Sequence, residues 1–164
     1  MNNSDIKILL VDDEPDILEI VGYNLKNEGY KVYTSTNGIE AVKSAKKIIP
    51  DLILLDIMMP EMDGIEACEK IRTIKNLENT LIAFLTARNE DYSKVAGFDA
   101  GADDYITKPI KPKVLVSKVK SLLRRLKAKN ETDANIIVGN ITINRDEYVI
   151  FKGKERIFLP RKEF

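Results

Sequence analysis

Apolar and polar positions follow two different periods along the first 110 residues. Short continuous apolar runs, such as LILLD at 52–56, are typical of strands buried on both faces of a parallel sheet. Between such runs, stretches such as PDILEIVGYNLKNEG repeat apolar residues at helical spacing, with Pro15 at the start and Gly29 at the stop. The alternation predicts βαβ units with a parallel sheet and right-handed crossovers.

Five strands and five helices are predicted in this part of the chain. The strands are IKILLVDD, KVYTST, DLILLD, TLIAFLTA and DDYITKP. The fourth helix is predicted over NEDYSKVAGFDAGA and the fifth over KPKVLVSKVKSLLRRLKAK. This order predicts an α/β fold with a flavodoxin-like, doubly wound parallel sheet and strand order 2-1-3-4-5. We expect this domain to span residues 1–127.

The pattern changes after residue 127. The polar stretch AKNETDAN predicts a linker at 128–135. Residues 136–164 alternate short β-branched segments with turn residues, which is typical of a small antiparallel sheet. Since no helix follows to cover that sheet, we expect the second domain to be incomplete.

Composition limits the chemistry that this chain can perform. The chain has no histidine and one cysteine, Cys68, which excludes nucleophiles with a histidine base as well as histidine or thiolate zinc sites. No apolar run approaches the roughly 20 residues of a membrane helix. The amino terminus lacks the layout of a secretory signal. These features predict a cytoplasmic protein that makes no use of a membrane.

Charge is divided unevenly along the chain. Residues 1–110 hold 20 acidic and 12 basic side chains, whereas residues 111–164 hold 6 acidic and 14 basic side chains. An acidic front and a basic back indicate two different kinds of partner. Basic helix ends and a solvated linker would produce the same division, so both interpretations stay open on charge alone.

Carboxylates stand at the ends of two predicted strands. Asp12 and Asp13 follow the first strand, and Asp56 ends the third. The order 2-1-3-4-5 makes these strands neighbours, so we expect the three acids to converge. Like charges at such distances raise one another's pKa unless a cation neutralises them. A cluster with only oxygen ligands favours a hard ion, and we predict Mg²⁺.

The ends of the fourth and fifth strands add a hydroxyl, Thr86, and an ammonium, Lys108. Together with a metal-bound carboxylate they predict a pocket for a phosphoryl group, in which Asp56 would attack phosphorus. Each residue taken singly also fits a structural role, as a helix cap, a turn residue or a surface base. The occurrence of all of them at the carboxyl ends of separate strands favours a site.

Four motifs identify a family resemblance. LLVDDEPD, LLDIMMPEMDGIE, FLTA and GADDYITKP resemble the receiver domain of two-component response regulators over residues 5–127. The resemblance implies that Asp56 accepts a phosphoryl group from a histidine on a sensor kinase. It implies that Asp12 and Asp13 hold Mg²⁺ and that the backbone carbonyl of Met58 completes the protein ligands. It further implies that Thr86 is the switch hydroxyl and that Tyr105 is the switch aromatic. Lys108 would be the phosphate partner, and a cis peptide would follow it at Pro109.

The end of the chain resembles a subfamily. GADDYITKP with LLRR, a polar linker and GNITINRDEYVIFKGKERIFLPRKEF is similar to the OmpR/PhoB transcription factors, in which a four-stranded sheet precedes a winged helix-turn-helix. This resemblance implies binding to promoter DNA. The recognition helix would lie beyond Phe164, so we expect this chain by itself to select no promoter sequence.

The subfamily also implies a phosphorylation-dependent homodimer through the fourth helix, fifth strand and fifth helix. The matching charged positions are Lys94, Asp103, Asp104, Lys118 and Arg125. Two positions depart from the subfamily, since Lys118 replaces an arginine and Val114 replaces the acid expected opposite Lys94. We therefore predict a receiver that is monomeric or weakly dimeric until it is phosphorylated.

Two other functions fit part of the pattern. Haloacid-dehalogenase phosphatases also form aspartyl phosphates, but they place a second acid two residues after the nucleophile, where this chain has Met58. A stand-alone receiver acting through protein contacts would end after the fifth helix, and this chain continues. We predict a response regulator that is not an enzyme.

Overall fold

A single sheet of five parallel strands forms the centre of the first part of the chain. This computed structural model describes residues 3–87 and 99–138, with the side chains of residues 3–87 and 99–126. The strand order is β2-β1-β3-β4-β5, which confirms the predicted flavodoxin-like topology. The strands are β1 (Lys7–Val11), β2 (Lys31–Ser35), β3 (Leu52–Asp56), β4 (Leu81–Thr86) and β5 (Asp104–Thr107).

Helices connect the strands. They are α1 (Pro15–Asn27), α2 (Gly38–Ile48), α3 (Gly64–Arg72) and a C-terminal helix (Pro112–Val138), with short 3-10 turns at Asn3–Asp5 and Lys75–Leu77. The side chains of Asn37 and Asp63 cap α2 and α3, because each accepts a hydrogen bond from a backbone N–H three residues on. None of the helices within residues 3–87 and 99–138 combines the length and apolar character that crossing a membrane requires.

The core lies on both faces of the central strands. Every residue of β3 is buried, as are the last four of β1 and the last five of β4. Alternate residues of these strands form one cluster with Ala41, Ala45, Ala67, Cys68 and Ile71 of α2 and α3. The intervening strand residues are buried as well, so neither face is left to solvent. Burial also raises the pKa of the Cys68 thiol to about 11, which agrees with a core role for this residue.

Arg72, the last residue of α3, ties that helix to the segment before β5. Its guanidinium donates hydrogen bonds to the backbone carbonyls of Gly101, at 2.9 Å, and Thr80, at 2.6 Å. It also lies 2.8 Å from Asp103 Oδ2. Gly101 has a positive φ of 107°, and an added Cβ there would press against the Arg72 side chain at 2.9 Å. Glycine is therefore required both for the backbone turn and for this contact.

The C-terminal helix extends further than the sequence predicted. It continues to Val138, through the predicted linker at 128–135 and into the first residues of the predicted antiparallel sheet. No glycine or proline interrupts the chain between Pro112 and Gly139, so nothing in the backbone stops helical hydrogen bonding there. The rest of that predicted sheet, 139–164, lies outside the described residues, and so do most of the fourth predicted helix and Lys94.

The chain divides into two compact units, Met1–Leu123 and Arg124–Phe164. The first contains the whole sheet and the beginning of the C-terminal helix, whose buried Leu115, Val119 and Leu122 share one helical face. The described part of the second is the helical stretch that ends at Val138.

Candidate functional site

Three carboxylates meet at the carboxyl edge of the sheet. Oxygen atoms of Asp12, Asp13 and Asp56 all lie within 4.8 Å of one another. They converge because β1 and β3 are adjacent in the sheet, with Val11 aligned to Leu55. Asp12 is fully buried and Asp56 is 4% exposed, whereas Asp13 is exposed. The convergence predicted from the strand ends is present.

The backbone at Asp56 is held by the start of α3. Gly64 N–H donates a hydrogen bond to the Ile57 carbonyl at 2.8 Å. A Cβ on Gly64 would collide with the Asp56 carbonyl oxygen, so only glycine lets the helix approach the strand this closely. Close packing at this point fixes the position from which the Asp56 carboxylate projects.

Lys108, which follows β5, brings an ammonium group close to these carboxylates. Its Nζ lies 3.2 Å from Asp12 Oδ2 and 3.4 Å from Asp56 Oδ1. The Lys108–Pro109 peptide is cis, as the family resemblance implies. Lys108 N–H also donates to the Thr86 carbonyl at 2.7 Å, which anchors the end of β5 to that of β4. The predicted ammonium is therefore within reach of the predicted nucleophile.

The electrostatics of the site favour an added positive charge. Burial raises the pKa of Asp56 to about 7, the negative charge of Asp12 adds to this, and Lys108 opposes it. Burial also raises the pKa of Asp12, against a hydrogen bond from the Glu14 backbone and the Lys108 charge. For Lys108, burial alone would lower the pKa, but the charges of Asp56 and Asp12 outweigh it and raise the pKa. One ammonium does not neutralise this cluster.

Asp12 Oδ2 fits a cation ligand for a second reason. This buried oxygen accepts no well-directed hydrogen bond from the described residues, although the Lys108 ammonium lies near it. Buried carboxylate oxygens are normally satisfied by hydrogen bonds or a metal. The three side chains of this cluster all offer carboxylate oxygens as metal ligands, and Mg²⁺ prefers oxygen ligands. The residues present therefore fit the ion that the sequence predicted.

Thr86 and Tyr105 lie on the neighbouring strands. Asp56 is paired with Leu85 in β4, so Thr86 stands one residue further along that strand, and it is 1% exposed. The Tyr105 ring is also buried and packs on Phe84, with ring centroids 5.7 Å apart. Both residues are therefore buried near the carboxyl ends of their strands. Their switching roles stay predictions.

The remaining predicted residues are Met58 and those of the predicted dimer face. Met58 is 66% exposed, and the role of its carbonyl as a ligand stays a prediction. Of the predicted dimer face, Asp104 pairs with Lys118 of the same chain at 3.5 Å. Asp103 is engaged by Arg72, as described above, and Arg125 lies in the second unit.

Glu14 is a site residue that the sequence reasoning missed. Its Oε1 lies 3.2 Å from Lys108 Nζ, the same distance as Asp12 Oδ2. The available signal was an acid directly after Asp13 and before Pro15, but 94 residues separate Glu14 from Lys108. The pattern of strands and helices carries no information on that contact.

The sheet order and the cluster of aspartates and a lysine at its edge define a flavodoxin-like α/β domain with an acidic site, and comparison with known proteins identifies its family. Residues 8–120 match the response regulator receiver domain. The chain belongs to this family and is a two-component response regulator.

Relatives include a curated protein and two solved structures. The alkaline phosphatase synthesis transcriptional regulatory protein PhoP of Bacillus subtilis (strain 168) is 40% identical over 166 aligned positions, covering 96% of this chain and 68% of PhoP. A putative response regulator from Chloroflexus aurantiacus J-10-fl is 35% identical with a TM-score of 0.69, covering 73% of this chain and 98% of that one. The receiver domain of a sensor histidine kinase from Pseudomonas aeruginosa PAO1 is 34% identical with a TM-score of 0.67, covering 74% and 98%.

The match to PhoP extends well beyond the receiver, because it covers nearly the whole chain. It confirms the predicted OmpR/PhoB subfamily, to which PhoP belongs.

Proposed function

We propose that this chain accepts a phosphoryl group on Asp56 in the presence of Mg²⁺ and passes the signal to a DNA-binding effector. The observation that carries the proposal is the convergence of Asp12, Asp13 and Asp56 within 4.8 Å, with Lys108 Nζ 3.4 Å from Asp56. Phosphoryl transfer depends on positioning and charge neutralisation more than on covalent chemistry by the protein. This cluster supplies both.

Mg²⁺ would be held by Asp12, Asp13, Asp56 and the Met58 carbonyl. Support comes from the buried Asp12 Oδ2 and from the Pseudomonas aeruginosa PAO1 receiver, whose structure has a magnesium ion coordinated in its active-site cleft. When bound, the ion supplies positive charge that keeps Asp56 ionised and offsets charge on the phosphoryl oxygens.

Each protein group would then have a distinct task. Asp56 is the nucleophile, and its burial beside Gly64 holds the carboxylate in one position. Lys108 would donate a hydrogen bond to a phosphoryl oxygen, since its ammonium already reaches the Asp56 oxygen. Thr86, at the end of the adjacent strand, would donate a hydrogen bond from its hydroxyl to another phosphoryl oxygen. This would draw Thr86 inward, and the Tyr105 ring would move with it.

The partners follow from the family. The chain has no histidine, so a phosphohistidine donor would belong to another chain, a sensor histidine kinase. PhoP is a transcriptional regulatory protein by name, and its similarity supports a DNA-binding output here. We assign residues 1–127 to the receiver, 128–135 to the connection and 136–164 to the start of the winged-helix effector. Phosphorylation would promote a homodimer through the fourth predicted helix, β5 and the C-terminal helix.

Phosphorylation is tested by intact-mass measurement. Incubation of the chain with acetyl phosphate and Mg²⁺ is expected to add one phosphoryl group, and Asp56→Asn is expected to add none. Asp51→Asn is a matched control, because Asp51 precedes the same strand at the opposite edge of the sheet. An unchanged mass for the native chain, or full labelling of Asp56→Asn, would refute the assignment.

A further inference from the structure

Three carboxylates compete for the single ammonium of Lys108. Its Nζ lies 3.2 Å from Asp12 Oδ2, 3.2 Å from Glu14 Oε1 and 3.4 Å from Asp56 Oδ1. The Asp12 and Asp56 side chains are 0% and 6% exposed and belong to the proposed metal cluster. The Glu14 side chain is 60% exposed and lies outside that cluster.

The backbone explains why Glu14 reaches Lys108. Glu14 N–H donates a hydrogen bond to Asp12 Oδ1 at 2.9 Å, which fixes the turn after β1. Glu14 itself has an extended backbone, with φ −94° and ψ 114°, because Pro15 follows and starts α1. The side chain is thus directed by two neighbours that are themselves constrained.

We propose that Glu14 is a positioning residue that holds the Lys108 ammonium from the solvent-exposed side and thereby selects phosphoryl donors by their charge. The inference rests on the proposed phosphorylation of Asp56. With the three aspartates engaged by a divalent cation, Glu14 is the carboxylate that still competes with incoming phosphoryl oxygens for Lys108. Its own charge also repels an approaching anion.

Two small donors separate this effect from the chemistry itself. Acetyl phosphate is a dianion near neutral pH, whereas phosphoramidate carries a protonated nitrogen and one fewer net negative charge. In both cases an Asp56 oxygen forms a bond to phosphorus. The P–O bond to acetate or the P–N bond to ammonia breaks, and the leaving group departs with the electron pair. The Asp56 step is shared, so a difference between donors reports their charge.

Substitution of Glu14 gives the first test. For Glu14→Gln, the second-order rate constant for labelling by acetyl phosphate is expected to rise about 3- to 10-fold at low salt, as expected for removal of one nearby charge. With phosphoramidate the change is expected to stay below about 2-fold, because a donor with less charge is repelled less. In about 1 M salt the difference between donors is expected to disappear.

Two further variants separate contact from charge. Glu14→Asp keeps the charge but shortens the side chain, and is expected to give an intermediate rate. Glu19→Gln removes the same charge from an exposed position on α1, and is expected to leave both rates unchanged.

Mg²⁺ titration calorimetry without any donor gives a second measurement. Glu14→Gln removes a negative charge and frees Lys108 to approach the aspartates, and both changes oppose cation binding. Affinity is therefore expected to fall about 2- to 5-fold at low salt, with no change in Glu19→Gln.

The outcomes distinguish this inference from the proposed function. A native chain that takes up no phosphoryl group would refute both. A native chain that is labelled normally, while Glu14→Gln accelerates both donors equally, would refute the role of Glu14 alone. Equal effects of Glu14→Gln and Glu19→Gln would do the same.

Discussion

The Arg72 guanidinium lies 2.8 Å from Asp103 Oδ2, and the same oxygen accepts a hydrogen bond from the Ile82 backbone at 2.9 Å. Asp103 is one of the residues predicted to form ion pairs across a dimer. Its carboxylate is instead engaged within its own chain, and its side chain is 34% exposed. Pairing with a second copy would therefore compete with two intramolecular contacts.

This competition supports weak dimerisation. The sedimentation behaviour of the native chain is expected to show a monomer or a weak dimer without phosphorylation, and stronger association with it. Val114, which is 55% exposed, offers a direct test, because Val114→Glu restores the acid expected opposite Lys94. The phosphorylated dimer is expected to tighten by at most about 1 kcal/mol, since exposed ion pairs contribute little. Val114→Gln is the uncharged control, and a tight dimer in both states of the native chain would contradict the prediction.

Removal of Arg72 is expected to destabilise the fold. Arg72→Ala removes the guanidinium that donates to the Thr80 and Gly101 carbonyls and to the Asp103 carboxylate, which keeps the Ile82 N–H, at a cost of about 2–4 kcal/mol in the free energy of unfolding. Arg72→Lys is expected to recover less than half of the loss, because an ammonium cannot reproduce the forked geometry of a guanidinium. Urea unfolding followed by circular dichroism measures both. Lys70→Ala, at an exposed position of the same helix, is expected to change stability by under about 0.5 kcal/mol, and a similar loss there would disprove the role of Arg72.

Stability is expected to depend on pH through Asp56. Its pKa is raised from 3.8 to about 7, so between these values the folded chain retains a proton that the unfolded chain has released. Stability therefore falls as pH rises through this window. Without divalent cations, Asp56→Asn is expected to gain about 2–4 kcal/mol over the native chain at pH 8 and almost nothing near pH 4, at about 1.4 kcal/mol per pKa unit. Urea titrations in chelator at the two pH values measure this difference.

Addition of Mg²⁺ and the Glu19→Gln variant serve as controls for the pH dependence. Mg²⁺ is expected to stabilise the native chain more than Asp56→Asn, because the variant lacks one of the proposed ligands. Glu19→Gln is expected to show no pH-dependent gain. A constant difference between Asp56→Asn and the native chain across the pH range would count against the raised pKa.

Two glycines offer a matched pair of substitutions. Gly64→Ala is expected to destabilise the fold by about 1–3 kcal/mol and to slow labelling of Asp56, because the new methyl group collides with the Asp56 carbonyl. Gly22→Ala in α1 is expected to stabilise the fold by about 0.5–1 kcal/mol, since the added Cβ meets no atom within 4 Å from the described residues beyond its neighbours and its own helix backbone. Thermal unfolding and intact-mass labelling measure the two effects. Equal stability changes in the two variants would show that the close approach at Gly64 is unimportant.

The sequence by itself determined the five strands of the sheet, the helices described between them and the edge of the sheet at which the acidic cluster lies. Buried parallel strands require nearly continuous apolar runs, so Asp12, Asp13 and Asp56 stand out as charges that only a strand end can place near solvent or a cation. The order of strands and helices then restricts the topology to very few arrangements. For the same reason the sequence places Lys108 and Thr86 at that edge.

Only the tertiary structure decided the side-chain contacts that do not follow from the strand ends. Glu14 and Lys108 are 94 residues apart and Arg72 and Asp103 are 31 apart, and neither contact leaves a periodic trace in the sequence. Such contacts depend on side-chain rotamers and on the packing of distant elements, whereas periodicity reports only which face of an element is buried. The sequence likewise did not predict that the C-terminal helix extends through 128–138, because polar residues are compatible with both a linker and a solvated helix.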